Sequence, residues 1–206
     1  MSNAAFPFLH VREIEIGYAP VLALRVSYVG ELGWELHMPT EYGAHVYERL
    51  LEAGQPLGVV DAGYRALESL RLEKRYVYWG SDVNSETNPF EAGLGFCVAL
   101  EKGEFIGRTA LARVKEVGPR QALVSFTLDT DVPVFGGEPI IHEGKVIGIT
   151  TSGGYGYTIR RYIALGYVPA ELAGTQGFEI ESFCQRVPAH RHNGCVFDPG
   201  GMRLRS

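Results

Sequence analysis

The sequence predicts an α+β fold in which a mixed helical and strand-forming part is followed by a small antiparallel β-barrel or sandwich. Three observations carry this. Helical periodicity in 41–54, 62–74 and near 109–117 is segregated from short strand-like runs in the first part. Gly118-Pro119 then punctuates the chain and sets a boundary between residues 5–117 and 118–206. Beyond it RQALVSFTLD, KVIGITTSGG, YIALGYVP, GFEIESFC and RVPAHRHNGCVF are β-rich runs separated by Gly/Pro turns.

Residues 11–17 (VREIEIG) alternate and end in glycine, as a strand does. Residues 25–37 (RVSYVGELGWELH) read as strand, tight glycine turn, strand. Leu22, Leu24, Val26 and Tyr28 share one parity, and Trp34, Leu36 and Met38 share another. Gly30 and Gly33 give the backbone the freedom to reverse in few residues. Thr40 is the expected N-cap of a helix through EYGAHVYERLLEAG, and Gly54 its expected stop. Val59-Val60 suggests a short strand. A second helix runs through AGYRALESLRLEK, with Gly63, Ala66, Leu67 and Leu70 on its apolar face and Arg65, Glu68 and Arg71 flanking it. FCVAL (96–100) reads as a strand, and a third helix starts near Thr109 and ends by Gly118. The run Gly153-Gly154-Tyr155-Gly156-Tyr157 lacks the helix that phosphate binding requires, so it reads as a barrel turn.

Composition narrows the function. A chain of 206 residues, 46% hydrophobic and with a formal charge of −5, is globular and carries no electrostatic footprint for nucleic acid. No apolar run reaches the length of a membrane span. Three scattered cysteines, Cys97, Cys184 and Cys195, make neither a disulfide framework nor a zinc site, which favours a reducing cytoplasmic setting. Met1-Ser2-Asn3-Ala4 reads as an expression remnant.

Few side chains rise to candidates. Glu35, at a strand end and facing inward, could accept two parallel hydrogen bonds from the N–H/NH₂ edge of a pterin or guanine. The plainer reading is an exposed strand carboxylate. Tyr28 shares the parity of core residues, so it is a core tyrosine with its hydroxyl at the rim or a ligand contact. Glu31 reads as a solvated turn residue, and Trp34 as packing. Tyr64, Tyr76, Tyr78 and Trp79 could line a pocket for a planar ligand, although packing is their commoner use. Asp82 and Glu91, with Asn84 and Asn88, match no calcium-loop template and read as turn and capping residues. His190 and His192 share a strand face without further metal ligands. Arg203 and Arg205 could meet an anionic ligand tail, with a solvated basic terminus as the default. No metal centre and no catalytic triad can be argued.

The blocks SYVGELGWEL (27–36), AGYRALESLRLEK (62–74) and NPFEAGLGFCVALEKGEFIGRTAL (88–111), in that order, resemble the folate-binding aminomethyltransferase fold of the glycine-cleavage T-protein. GGEPIIHEGKVIGITTSGGYGYTIRRYIALGYVP and DPGGMRLR resemble that family's terminal barrel domain. YRALESLRLEK followed by YWGSDV is closer to the sarcosine and dimethylglycine dehydrogenase/oxidase branch, where this fold forms the C-terminal portion of a longer flavoprotein.

The resemblance implies a partial folate-binding domain at 5–117 and a β-barrel at 118–206. It implies tetrahydrofolate as the ligand, with FAD only in an N-terminal part outside this segment. The expected chemistry is capture of a one-carbon unit from a small methylated amine or aminomethyl donor, giving 5,10-methylenetetrahydrofolate. The family's pterin-holding tyrosine and glutamate fall on Tyr28 and Glu35; Glu31, Tyr64 and Arg203 complete the candidate folate contacts. Two departures stand out: a family arginine that contacts folate falls on Leu67, and the family's catalytic aspartate lies in an N-terminal part with no counterpart here. The chain by itself is therefore expected to be inactive or nearly so. It is also expected to expose apolar surface that favours self-association, and to reside in the mitochondrial matrix if the source is eukaryotic. The alternative is a non-catalytic folate-binding regulator or a structural docking module. Iron–sulfur-assembly relatives carry Lys-Gly-Cys where this chain has Lys102-Gly103-Glu104, which disfavours that form of regulator.

Overall fold

A computed structural model describes residues 3–205. Of the expected expression remnant, Met1 and Ser2 lie outside the described residues. The chain divides into two compact units, Met1–Leu67 with Gly200–Ser206 and Glu68–Pro199.

In the first unit, the alternating run at the start forms β1 (Val11–Ile16), which pairs antiparallel with β2 (Ala19–Leu24) in the register Val11↔Leu24 to Ile16↔Ala19. β2 in turn pairs antiparallel with β3 (Glu35–His37), Leu24 facing Glu35. The residues of β2 that turn inward are the small ones, Ala19, Val21 and Ala23, while Leu22 is 41% exposed. The expected parity is thus inverted: Val21 and Ala19 pack on Val46 of α1 (Gly43–Gly54), a close sheet–helix contact that suits short side chains. The expected tight hairpin at 25–37 is also corrected. β2 ends at Leu24, and ten residues without regular structure lead to β3.

Before α1 a 3₁₀ turn covers Thr40–Tyr42, and no side chain caps either start, so Thr40 is not the N-cap. Gly54 does not stop the helix. A second 3₁₀ turn, Gln55–Leu57, extends it to Gly58, whose left-handed φ of 74° ends it. Val59 and Val60 belong to no strand.

Across the boundary between the units runs α2 (Tyr64–Glu73). Its buried residues are Ser69, Arg71, Leu72 and Glu73, not the face of Gly63, Ala66, Leu67 and Leu70 that periodicity suggests. FCVAL is not a strand: a 3₁₀ turn, Gly95–Cys97, covers its first two residues. α3 (Arg108–Val117) matches the expected third helix and ends at Gly118.

The second unit is built on a closed antiparallel barrel of β4 (Gln121–Leu128), β5 (Pro139–His142), β6 (Lys145–Gly156), β7 (Arg161–Pro169), β8 (Phe178–Ser182) and β9 (Gln185–His192), in the order β4-β7-β6-β5-β8-β9. Closure comes from β9 returning to β4, with Thr127 opposite His190. Its core holds Phe126 and Phe178, ring centroids 5.3 Å apart and edge to face, with Ile140, Ala164 and Ile180 around them. The glycine run 153–156 is the end of β6, paired with β7 as Gly154↔Ile163, and not a turn. Glycine is required at Gly148, where an added Cβ would lie 2.0 Å from the Tyr167 carbonyl oxygen. Last in the chain, in the first unit, is the short α4 (Met202–Arg205).

Candidate functional site

The first unit gathers most of the sequence candidates around the 25–34 loop. That loop begins at Arg25, which is 2% exposed. Its Nη1 donates to the Phe6 carbonyl oxygen at 2.5 Å, and its guanidinium lies 5.7 Å from the Trp34 ring centroid. Phe6 meets Trp34 edge to face at 6.3 Å. A buried guanidinium held by a carbonyl and an indole face ties the two ends of the loop together. Backbone bonds from Leu9 N–H to the Arg25 carbonyl (3.0 Å) and from Arg25 N–H to the His10 carbonyl (2.9 Å) continue the β1–β2 ladder into it.

Tyr28 is half-buried within this loop. Glu35 does not face inward as expected: its side chain is about half exposed, and in its only hydrogen bond among the described residues Oε2 accepts from His37 Nε2 at 3.3 Å. Oε1 therefore remains open as an acceptor. Beside it in the chain, the Trp34 Nε1–H is buried and has no hydrogen-bond partner among the described residues. Periodicity marks Trp34 only as packing; the unpaired indole N–H is a signal that appears only with the fold. Buried donors are paired in nearly all native structures, with protein, water or ligand, and the Arg25 Nε in the same loop likewise makes no hydrogen bond among the described residues.

Glu31 and Arg203 both keep solvent-exposed side chains, as the sequence suggests, but they meet each other. Arg203 Nη1 donates to Glu31 Oε1 at 2.8 Å, joining α4 to the loop. Tyr64 is not drawn in. At the start of α2 it is 79% exposed and makes no hydrogen bond or ring contact among the described residues. Trp79, in the second unit, is 72% exposed, so packing is not its role either.

By donor and acceptor type, these groups are of the kinds that a pterin-like ring pairs with. An open carboxylate oxygen matches an N–H/NH₂ edge, and a buried N–H matches a ring acceptor. Tyr28 supplies an aromatic surface in the same loop.

The second unit holds a separate polar centre that sequence reading misplaces. Arg71, expected on an exposed flank, is 2% exposed. It donates to Asp82 Oδ2 (2.7 Å), Ser152 Oγ (2.8 Å), Glu68 Oε2 (2.9 Å) and the Tyr76 carbonyl (3.1 Å). Asp82 is equally buried. Besides the guanidinium it accepts from Tyr78 N–H (2.9 Å) and Thr151 Oγ1 (2.5 Å), and its carbonyl accepts from the Tyr167 hydroxyl (2.8 Å). The capping role expected of Asp82 is real but subordinate to the ion pair. Burial pushes the Tyr167 phenol up to about 12. Asn88 keeps its turn role, its Oδ1 accepting from Phe90 and Glu91 N–H at 3.0 Å each. With every polar atom of the Arg71–Asp82 pair engaged, this centre holds α2 to β6 and offers nothing to a ligand.

Comparison with known proteins bears on the fold and on the family. Residues 1–102 match the GCVT N-terminal domain, and residues 121–198 match the glycine cleavage T-protein C-terminal barrel domain. The crystal structure of glycine cleavage system aminomethyltransferase T from Bartonella henselae superposes with a TM-score of 0.84 at 27% identity, covering 100% of this chain and 55% of that one. Mitochondrial dimethylglycine dehydrogenase of Mus musculus is 46% identical over 92% of this chain and 22% of its own length. Mitochondrial sarcosine dehydrogenase of Homo sapiens is 36% identical over 100% of this chain and 23% of its own. The chain belongs to the glycine-cleavage T-protein family, on the side of the dimethylglycine and sarcosine dehydrogenases, and spans less than a quarter of the length of those two relatives. No helix among the described residues is long and apolar enough to cross a membrane.

Proposed function

We propose that the chain is the folate-holding segment of a tetrahydrofolate-dependent aminomethyltransferase-like protein, part of a longer flavoenzyme that demethylates a small amine in the mitochondrial matrix or bacterial cytoplasm. Its organisation in this reading is a folate-binding part at 5–117 and a barrel at 118–206. The observation that carries it is a pair of consecutive residues with unused polar groups: Glu35, whose Oε1 is open, and Trp34, whose buried Nε1–H has no partner among the described residues. Tetrahydrofolate, when bound, supplies the nitrogen that accepts the one-carbon unit. The chain's own residues bind and orient it. Glu35 takes the N–H/NH₂ edge of the pterin, Trp34 donates to a ring acceptor, and Tyr28 lies along the ring. Glu31 and Arg203 brace the loop and leave the guanidinium close to an anionic tail, while the exposed Tyr64 offers a further aromatic face. FAD and the family's catalytic aspartate belong outside the residues of this chain, so the chain alone binds folate without turnover.

Calorimetric titration with folinic acid tests this. Binding that is lost in Glu35→Ala supports the pocket, and absence of heat at millimolar ligand overturns it. A structural docking module is the second reading. Ile106, fully exposed at 104%, and Phe96 at 84% are the apolar side chains that such a module would offer a partner.

A further inference from the structure

The barrel carries a cleft that the folate reading does not use. β6 pairs with β7 only from Thr150↔Gly166 to Gly156↔Arg161, and the register shifts between Thr150 and Ser152. The residues on either side of the missing ladder, 147–149 and 167–169, flank a cavity of about 510 Å³, within the usual size of small-molecule sites. Ile147, Ile149 and Pro169 give it aliphatic walls, and Ile149 is 56% exposed. Thr151 and Tyr167 reach it too, but their hydroxyls are committed to Asp82, which makes that side rigid and uncompetitive for a ligand.

Two opposite charges line the same cavity. Arg120 directly precedes β4, and Glu171 lies in the 3₁₀ turn Ala170–Leu172 that follows β7. The backbone bond from Ala170 N–H to the Arg120 carbonyl, 3.1 Å, brings the two segments to one end of the cleft. Neither side chain makes an ion pair or hydrogen bond among the described residues.

We propose that this cleft binds a small aliphatic amino acid as its zwitterion. Arg120 meets the carboxylate, Glu171 the ammonium, and the isoleucines the side chain. A guanidinium grips a carboxylate through paired N–H groups, and a carboxylate accepts from an ammonium, so each charge of the ligand finds its complement. A ligand with only one of the two charges forms only one of the two ion pairs. The inference stands apart from the folate reading, because it uses none of that reading's residues.

Titration of the intact chain with L-leucine, followed by NMR shifts of the Ile147, Ile149 and Thr151 amides, tests it. Saturable binding with a Kd on the order of a millimolar is expected. Arg120→Gln and Glu171→Gln should each weaken it about tenfold, as should replacing the ligand by 4-methylpentanoate or isoamylamine. Unchanged melting temperatures in both variants, whose substituted side chains are exposed, show that the fold is kept. The proposal is overturned if leucine causes no shift up to about 20 mM, if either variant binds like the parent, or if either singly charged analogue binds as well as leucine.

Discussion

Arg71 and Asp82 meet at 2.7 Å with side chains 3% and 0% exposed, and each makes further hydrogen bonds that leave neither charge unmet. Removing one partner strands the other in a medium that solvates it poorly. Asp82→Asn and Arg71→Met should each lower stability by about 3–5 kcal/mol. The double variant should lose much less than the sum, because no charge is then left alone. Urea denaturation of the four proteins measures this; additive losses would show that the pair contributes nothing as a pair.

Trp34→Phe keeps an aromatic ring where Trp34 meets Phe6 and Arg25 but deletes the orphan N–H. An unpaired buried donor costs about 1–3 kcal/mol, so its removal offsets the smaller ring and stability should hold. Folinic acid affinity should fall about tenfold, since about 1.4 kcal/mol of hydrogen bonding is lost on the ligand side only. Calorimetry read beside thermal melting separates the two effects.

The β8–β9 turn offers a gain of stability. Phe183 and Cys184 adopt left-handed φ values of 47° and 61°, and both are exposed. A two-residue turn with both φ positive favours Asn-Gly. Phe183→Asn with Cys184→Gly should stabilise the chain by about 1–2 kcal/mol, read as a higher melting temperature.

His192 makes stability depend on pH. Burial, then the positive charges of His190, Arg161 and Arg191, hold its imidazole below the usual histidine range, and its Nε2 lies 2.7 Å from Thr127 Oγ1. The folded chain thus binds fewer protons than the unfolded one in mildly acid solution. Its contribution is fully present above about pH 6.5 and shrinks as pH falls towards the lower folded value. Denaturation midpoints at several pH values should fall with acid, and less so in His192→Gln.

The barrel was legible because its strands announce themselves locally. In β8, Phe178, Ile180 and Ser182 turn inward while Glu179 and Glu181 do not, the period of two that sequence displays directly. The motifs also pointed to the right family, since three blocks in fixed order carry more information than any one. What stayed hidden depends on partners far along the chain. A helical wheel places Arg71 on a flank because it cannot know that Ser152 and Asp82 will enclose it. β2 hides its small residues rather than Leu22 because helix α1 packs closely on Ala19 and Val21. Trp34 shows the same limit, for an indole's packing can be guessed but its unpaired nitrogen cannot.

The last turn of α2 and the residues just after it have a kinetic consequence. Ser69 donates to the Tyr155 carbonyl, Glu73 accepts from Thr158 N–H, Arg75 donates to the Leu123 carbonyl and Lys74 to the Asp198 carbonyl, across separations of 86, 85, 48 and 124 residues. Each contact requires a long loop to close before it returns anything, so this seam belongs to the late, slow part of assembly. Weakening it should therefore register chiefly as faster unfolding, with refolding little changed.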